Sequence, residues 1–354
     1  SEGVFVVNVT KTNDAVASSS VSTGTSHTLV LKENGTLWTW GDNSKGQLGD
    51  GPTSEGVTGG SISDDYIHRS FTYTGTGDLN YTAFPVQVKT AKDTPLVNVV
   101  SASANKDYNV AADANGDVYI WGSVNGLSYT YAQKMAGFEG KNIIAVSAGY
   151  THFIALSKDG YVYSWGANSY GQLGNGQSDN GNMNNPEFVY LDSDKTQLLE
   201  NVISVSAGDK HSVALAIEKN VAGDNKGVVY TWGSNEFGQI GRTDVGGKVS
   251  LPVKTVYTDD ADDFSIIAID AGYGATSTLQ STGYMWTYGL NNNGQLGNLD
   301  IDNTAVPVLV GKGEIEVTPS ELTIRKGDTV EINPLLTISA TDAFNLLGLT
   351  GTGS

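Results

Sequence analysis

The chain has no cysteine, no long apolar run and a low content of charged residues. Without cysteine, disulfide bonds and thiolate metal sites are excluded. No stretch of 18 apolar residues occurs, so the sequence contains no segment that could form a transmembrane helix. Only 16% of the residues are charged, and they give a net charge of −18. Such an excess of acid repels phosphate backbones and anionic membranes, so we predict no nucleic-acid partner and no membrane insertion.

The composition favours an all-β protein. Glycine occurs 44 times, and Thr, Ser, Asn, Val and Tyr are frequent, which is typical of short strands joined by many turns. A chain of 354 residues is long enough for two domains, but a single closed β architecture can also include the whole chain. Because the chain begins at Ser1, we expect a processed protein or a piece of a longer one.

Five similar segments recur along the chain. They span residues 23–49, 104–123, 148–174, 207–241 and 271–297. A spacing of 17 residues recurs between Gly24 and Gly41, Asn105 and Gly122, Gly149 and Gly166, and Gly272 and Gly289. In the fourth segment, Gly208 and Gly233 are 25 residues apart. A fixed unit with variable connectors indicates a repeat architecture.

Each segment is predicted to be a β-hairpin. Glycine-containing turns such as Asn34-Gly35 and Asp159-Gly160 separate two apolar runs, and this pattern predicts a tight turn with positive φ at both central residues. In the fourth segment the turn is replaced by residues 218–227, which we interpret as a hairpin tip lengthened by eight residues. This tip is a secondary candidate for binding.

The second strand of the hairpin ends in Trp-Gly, or Tyr-Gly in the fifth segment, and Gly-Gln-Leu-Gly follows in four segments as "GQLG" or "GQIG". We expect the aromatic ring to fill the wedge between neighbouring sheets and the Leu or Ile to plug the core. A run such as "VISVSAG" precedes most hairpins. Its small residues predict an inner strand packed close to an axis.

This combination of Ala-Gly, His, Asp-Gly, Trp-Gly and Gly-Gln-Leu-Gly resembles the regulator-of-chromosome-condensation repeat over residues 16–311. The resemblance implies an all-β fold, a β-propeller usually of seven blades, with each repeat spread over two adjacent blades. Five repeats are clear here, so we expect five to seven blades, closed by terminal strands. The predicted domains are a propeller at 1–311 and C-terminal strands at 312–354. The latter either close the propeller or form a fragment of an immunoglobulin-like module, because "VTPSELTIRKGDTVEI" resembles the start of a bacterial one.

Candidate catalytic residues are lacking. His27, His152 and His211 share one repeat position, which favours a structural role in which each bonds a loop backbone within its own blade. No nucleophile elbow, zinc-protease motif or phosphate loop is present. We therefore predict no enzyme activity, no cofactor and no metal site.

The long connector after the first segment is the main candidate for binding. We interpret residues of about 60–82 as an inserted hairpin that projects from one face, or that folds down over a blade edge. Aromatic and arginine side chains often anchor binding surfaces. The predicted partner-binding residues are Tyr66, His68, Arg69, Phe71, Tyr73 and Tyr81.

The functional hypothesis is a non-catalytic binding or scaffold module of a bacterial extracellular or cell-surface protein. It would bind a protein or glycan partner as a monomer through loops on one propeller face. The alternative is a secreted propeller-type enzyme inhibitor. A nucleotide-exchange factor for a small GTPase, which the resemblance also implies, is disfavoured by the acidic charge.

Overall fold

The computed structural model describes residues 19–51, 81–124, 127–179, 182–257 and 264–310. Within these ranges the strands form five four-stranded antiparallel sheets and one two-stranded sheet. No helix in this part of the chain is long and apolar enough to cross a membrane. The all-β class predicted from composition and turns is thereby confirmed.

Each four-stranded sheet is a meander of consecutive strands. The first contains β1 (Ser20–Thr23), β2 (His27–Leu31), β3 (Leu37–Asp42) and β4 (Tyr81–Gln87). A small ribbon of β5 (Lys89–Ala91) and β6 (Thr94–Pro95) follows. The second sheet contains β7 (Val99–Asn105), β8 (Tyr108–Asp113), β9 (Val118–Val124) and β10 (Leu127–Lys134).

The remaining three sheets repeat the same order. The third contains β11 (Ile143–Ala148), β12 (His152–Ser157), β13 (Val162–Gly166) and β14 (Asn182–Phe188). The fourth contains β15 (Val202–Ala207), β16 (His211–Lys219), β17 (Asn225–Ser234) and β18 (Lys248–Lys254). The fifth contains β19 (Ile266–Ala271), β20 (Ala275–Gln280), β21 (Met285–Gly289) and β22 (Thr304–Leu309).

By its contacts the chain divides into two units, residues 1–311 and 312–354. The second unit lies outside the described residues, as do residues 1–18. The predicted closure by terminal strands and the predicted immunoglobulin-like fragment therefore stay predictions.

The first strands of consecutive sheets lie against each other, as the small-residue runs predict. A serine hydroxyl in one strand accepts a backbone N–H of the next: Ala148 N donates to Ser103 Oγ at 3.1 Å, and Ala207 N donates to Ser147 Oγ at 3.0 Å. Such bonds require the two backbones to approach closely, which only small side chains allow. The small residues thus join the sheets as well as fitting between them.

The turn between the second and third strands differs from the predicted type. In the first sheet only Gly35 has a positive φ, of 74°, and Asn34 does not. Gly35 N donates to Lys32 O, and Lys32 N donates to Thr36 O, so three residues rather than two form the loop. A type I turn closed by a left-handed glycine tolerates any residue before the glycine.

The lengthened hairpin of the fourth sheet also differs from the prediction. Its two strands remain paired as far as Lys219 and Asn225, which lie opposite each other, so the turn itself covers only residues 220–224. Gly227 N donates to Ser265 Oγ at 2.6 Å, which attaches the extension to the start of the fifth sheet. Most of the inserted residues therefore extend the strands.

The core lies between consecutive sheets. The aromatic residues that close the third strand, Trp121, Trp165, Trp232 and Tyr288, are all 0% exposed. Leu48, Leu173, Ile240 and Leu296 of the Gly-Gln-Leu-Gly segments are buried as well. These results confirm the predicted roles of the aromatic residues in sheets two to five and of the four Leu or Ile residues, whereas Trp40 of the first sheet is only partly buried.

The three repeat histidines are buried, but their partners differ from those predicted. His27 Nε2 lies 2.7 Å from Asn109 Oδ1, and His152 Nε2 lies 2.8 Å from Ser212 Oγ. His211 Nε2 lies 3.0 Å from Thr276 Oγ1. Each histidine bonds a side chain of the following sheet rather than a backbone group of its own, because its ring points across the joint.

Candidate functional site

Two kinds of loop lie together at one end of the strands in these sheets. In a four-stranded antiparallel meander, the turn between strands one and two and the connector between strands three and four lie at the same end. We call the surface formed by these loops the loop face. It includes the short turns at 24–26, 106–107, 149–151, 208–210 and 272–274 and the connectors at 43–51, 167–179, 235–247 and 290–303. Loops held on a rigid sheet are common places for binding residues.

Two polar side chains, an Asn and a Gln that are both buried in the first and third sheets, fix the shape of each long connector that carries the pattern. Asn168 Oδ1 accepts the N–H of Leu173 at 3.0 Å, and Gln172 Oε1 accepts the N–H of Tyr170 at 2.9 Å. The same pair of bonds recurs in the first, fourth and fifth sheets, from Asn43 with Gln47, Asn235 with Gln239 and Asn291 with Gln295. The pattern Asn-x-x-Gly-Gln-Leu/Ile-Gly is thus a preformed loop.

The residue whose backbone N–H donates to the glutamine differs from sheet to sheet. It is Lys45, Tyr170, Phe237 and Asn293 in the four connectors that share the pattern. The backbone N–H of each is fixed, and Lys45 and Asn293 are exposed while the two aromatic residues are partly exposed. In these four sheets a constant frame therefore presents a different side chain, which is an arrangement suited to recognition.

The short turns between the first two strands are also held in place. Thr25 N donates to Lys106 O at 2.9 Å, Tyr150 N donates to Gly208 O at 3.3 Å, and Asp209 N donates to Gly272 O at 3.1 Å. Each bond joins a turn to the turn of a following sheet. Side chains on these turns consequently keep fixed positions relative to one another.

Aromatic and lysine side chains pair on this face. Lys106 Nζ lies 4.4 Å from the ring centre of Tyr150, and Lys210 Nζ lies 4.6 Å from that of Tyr170. Lys248 Nζ lies 5.2 Å from the same Tyr170 ring and donates to Ser169 O at 2.9 Å. Tyr150 is 40% exposed and Tyr273, at the same position of the fifth sheet, is 68% exposed.

The charges of the loop face are mixed. The hydrogen bond from Lys210 to Tyr170 raises the pKa of the lysine, so it remains a cation at neutral pH. Burial raises the pKa of Asp209 next to it. Lys210 also lies 3.9 Å from Glu236. Within the described ranges no three His, Cys, Asp or Glu side chains come together as a metal site.

Of the six residues predicted to bind a partner, the structure describes one. Tyr81 begins β4 opposite Asp42, at the loop-face end of the first sheet, and is 57% exposed. Residues 81–87 thus form the fourth strand of this sheet, so any inserted hairpin ends before Tyr81. Tyr66, His68, Arg69, Phe71 and Tyr73 lie outside the described residues, and their role stays a prediction.

The aromatic side chains exposed on the loop face are not predicted from the sequence. Tyr150, Tyr170, Phe237 and Tyr273 lie inside the repeat, where the recurring pattern predicts a structural role for every position. For Tyr170 and Phe237 the sequence does contain a signal, which is the variable residue two places before the glutamine of each Gly-Gln-Leu-Gly segment, within an otherwise constant pattern.

The consecutive four-stranded antiparallel sheets define a β-propeller repeat protein. The family model described as "Regulator of chromosome condensation (RCC1) repeat" matches residues 34–112, 159–215 and 226–279, which is more than half of the chain. A second model with the same description matches residues 19–47, 143–172 and 202–239. The chain belongs to the RCC1 repeat family. Each segment of the first match starts just before or within the third strand of one sheet and ends within the second strand of the next, which confirms that a repeat spreads over two blades.

Known relatives share this repeat but are longer. The chain is 24% identical over 289 residues to the ultraviolet-B receptor UVR8 of Arabidopsis thaliana, covering 78% of this chain and 54% of the receptor. It is 29% identical over 305 residues to the probable human E3 ubiquitin-protein ligase HERC6, covering 82% of this chain and 25% of the ligase. The chain therefore spans about half, or less, of these relatives.

A solved structure with the same fold is Prp20p of Saccharomyces cerevisiae. The two superpose with a TM-score of 0.61 at 22% sequence identity, covering 83% of this chain and 65% of Prp20p. At this identity the likeness shows the fold, an RCC1-type β-propeller.

Proposed function

We propose that this chain is a non-catalytic binding module that recognises a protein or glycan partner through its loop face, within a bacterial extracellular or cell-surface protein. The observation that carries the proposal is the constant Asn and Gln frame that presents Tyr170, Phe237 and their counterparts. Rigid aromatic anchors lose little conformational freedom on binding, so they contribute strongly to affinity.

The relatives support a protein as the partner. The Prp20p structure is described together with its binding to Gsp1p and histones. The net charge of −18 disfavours highly acidic partners, while the Lys–Tyr pairs offer local cations for a carboxylate or a main-chain carbonyl. The extracellular and bacterial assignment rests on the resemblance of residues 317–332 to an immunoglobulin-like surface domain.

The test compares one tyrosine on the loop face with one on the opposite face. Tyr273→Ala removes a 68% exposed ring from the loop face, and Tyr284→Ala removes a 62% exposed ring from the turn at the other end of the same sheet. Both variants, and the unchanged chain, are applied to an array of extracellular proteins and to a glycan array. We expect Tyr273→Ala to weaken the strongest signal by at least about tenfold, as loss of an aromatic anchor does.

The control variant shows whether a loss of binding is specific to the loop face. Tyr284→Ala should bind as the unchanged chain does, because its turn is remote from the loop face. Equal losses in the two variants, or no loss in either, would show that the loop face does not recognise the partner. A signal confined to one enzyme on the protein array, with inhibition of that enzyme, would favour the inhibitor hypothesis instead.

A further inference from the structure

One carboxylate on the loop face is buried without a partner. Asp209 lies in the turn between β15 and β16 and is only 8% exposed. Among the described residues its carboxylate accepts no hydrogen bond and forms no ion pair, which is uncommon because burying an unpaired charge costs free energy. The oxygens still reach solvent, since the enclosed and unbonded side-chain atoms of the described ranges all belong to three histidines and Trp165. A ligand can therefore reach this carboxylate.

The two lysines that attract Asp209 are engaged elsewhere. Lys106 Nζ lies over the ring of Tyr150, 4.4 Å from its centre. Lys210 Nζ donates to Tyr170 Oη at 3.2 Å. Their attraction lowers the pKa of Asp209 by less than burial raises it. The carboxylate is therefore not matched by a cation of the described chain.

Asp209 stands between two exposed tyrosines. Tyr150 and Tyr273 occupy the same turn position in the preceding and the following sheet, and they are 40% and 68% exposed. Backbone bonds fix the spacing of the turns, because Tyr150 N donates to Gly208 O at 3.3 Å and Asp209 N donates to Gly272 O at 3.1 Å. Aromatic faces attract cations. An acid between two exposed rings therefore favours a cationic group.

The surrounding charges favour the same kind of group. Glu236 lies 3.9 Å from Lys210, and Asp107 directly follows Lys106, so each of the two lysines has an acid beside it. The charge of Asp209 is then left unbalanced, in a chain whose net charge is −18. A partner that approaches this point gains most by bringing a positive charge.

We propose that Asp209 receives a lysine or arginine side chain of a protein partner, beside Tyr150 and Tyr273. A bound ammonium or guanidinium group supplies the hydrogen bonds that the buried carboxylate lacks. Both side chains carry their charge at the end of a long stem, so the charge can reach a carboxylate that is only slightly exposed. The inference rests on the proposed function, because it names the chemistry of the partner that the loop face recognises.

Short peptides test the site directly. They consist of glycine and serine around one central residue, which is lysine, arginine, glutamine or glutamate. Each is titrated into the isotope-labelled full chain, and the amide NMR signals of residues 149–151 and 208–210 report binding. We expect saturable shifts with the lysine and arginine peptides and none with the other two. In Asp209→Asn the dissociation constant should rise at least about tenfold, because a hydrogen bond to a charged group is lost.

Asp224→Asn is the matched control, since it removes one exposed carboxylate from the turn at the opposite end of the same sheet. It should leave the dissociation constant of the lysine peptide nearly unchanged. Equal losses in the two variants would assign binding to the overall negative charge and overturn the proposal. A glutamine peptide that binds as well as the lysine peptide, or binding that ignores the Asp209 change, would overturn it as well.

Urea unfolding separates a binding role from a structural one. Asp209→Asn should not lower the free energy of unfolding, because the carboxylate accepts no hydrogen bond among the described residues. A lower free energy of unfolding would show that the carboxylate is bound within the chain, which contradicts the proposal.

The arrays that test the proposed function keep the two conclusions apart. If Asp209→Asn retains an array signal that Tyr273→Ala loses, the loop face binds its partner through other groups and only the cation site is overturned. If neither variant loses an array signal although the lysine peptide binds at Asp209, the cation site stands and the proposed function falls. Dependence on Asp209 that is confined to the glycan array would assign the cation to an amino sugar and overturn the protein partner.

Discussion

The buried histidines show how single residues hold the joints between sheets. His152 is 0% exposed, bonds Ser212 through Nε2 and has no hydrogen-bond partner for Nδ1 among the described residues. Burial lowers the pKa of His152 to about 3 and that of His211 to about 4. Both rings are therefore neutral in the folded protein at all but strongly acidic pH, and a proton on Nδ1 would find no acceptor there.

These histidines predict a loss of stability in mild acid. The pKa values in the folded state lie below the ordinary value of 6.5, so the unfolded chain takes up protons first as the pH falls. Their contribution is complete above pH 6.5 and is lost below it, by about 1.4 kcal/mol per pH unit for each histidine until the folded-state pKa is reached. Urea unfolding at pH values from 7 down to about 5 measures the slope, before most carboxylates titrate.

The variant His152→Gln provides the control for the pH effect. Glutamine can still bond Ser212 but does not titrate, so the free energy of unfolding should fall less steeply with pH than in the unchanged chain. A slope that is the same in both proteins would assign the acid sensitivity to other groups.

Gly166, in the third of the Trp-Gly pairs, predicts a site at which alanine is poorly tolerated. Its φ is 116°, and an added Cβ would lie 2.6 Å from the Cα of His152. Gly166→Ala should lower the free energy of unfolding by about 1–3 kcal/mol or more. Gly246→Ala, where no atom lies within 4 Å, should stay within about 0.5 kcal/mol of the unchanged chain. Similar losses in the two urea experiments would contradict this account.

At the scale of the strands and sheets, the joint between the second and third sheets differs in chemistry from the joint between the third and fourth. The second sheet lacks the Gly-Gln-Leu-Gly segment, and Phe153 replaces the polar residue found as Ser212 in the fourth sheet. Phe153 stacks on Trp165 at 5.1 Å, and Trp165 Nε1 has no partner among the described residues. At the joint where this loop is missing, an aromatic cluster therefore takes the place of the polar contacts.

The two joints predict different losses of stability for the same substitution. Trp232→Phe removes an N–H that donates a hydrogen bond to Gln172 O, whereas Trp165→Phe removes a buried N–H that makes no hydrogen bond among the described residues. Both rings are 0% exposed, so the packing losses are comparable. We expect Trp232→Phe to be the more destabilising by about 1–3 kcal/mol in urea unfolding. An equal or larger loss for Trp165→Phe would show that Trp165 has a partner in solution.

The sequence predicted the elements of these joints better than the contacts across them. Strand order, turns, buried tryptophans and small inner strands follow from local patterns such as Trp-Gly and "VISVSAG". The bond from His152 to Ser212 does not, because the partner lies 60 residues away in the next repeat. The loop-face residues are not predicted from the sequence for another reason. Tyr170 is positioned through its backbone N–H, which donates to the side chain of Gln172, and the sequence predicts Gln172 only as part of a turn.

For the whole molecule, stability should depend on the number of neighbours that each sheet has. A repeat protein is stabilised by contacts between adjacent units, so units that lack a neighbour open more easily. In β12 every residue is buried, and β16 is buried over its first six residues. In β20 the burial alternates along the strand. Among the described residues, the fifth sheet therefore buries one face and the third and fourth sheets bury both.

The same difference appears in the glycines of the first turn. An added Cβ at Gly149 or Gly208 would lie 2.5 Å from a backbone carbonyl oxygen of the following sheet. At the equivalent Gly272 the nearest such atom, Ala275 O at 3.7 Å, belongs to its own sheet. We call the side of a sheet that packs on the following sheet its outgoing face. On this face of the fifth sheet Ser277 stands where the fourth sheet has Val213, and Ala275 stands where it has His211, so the side-chain hydrogen bond that His211 makes to the following sheet has no counterpart.

This asymmetry predicts an order of opening that hydrogen exchange can measure. Amides of β20 should exchange at least about tenfold faster than those of β12 and β16, equal to ~1.4 kcal/mol less free energy of local opening. The reason is that opening the fifth sheet breaks contacts on one face, while opening the third breaks them on two. Peptides from β12 and β16 serve as internal references within one experiment. Equal protection in all three strands would mean that the outgoing face of the fifth sheet is covered in solution, because hydrogen bonds within a sheet alone cannot compensate for an open apolar face.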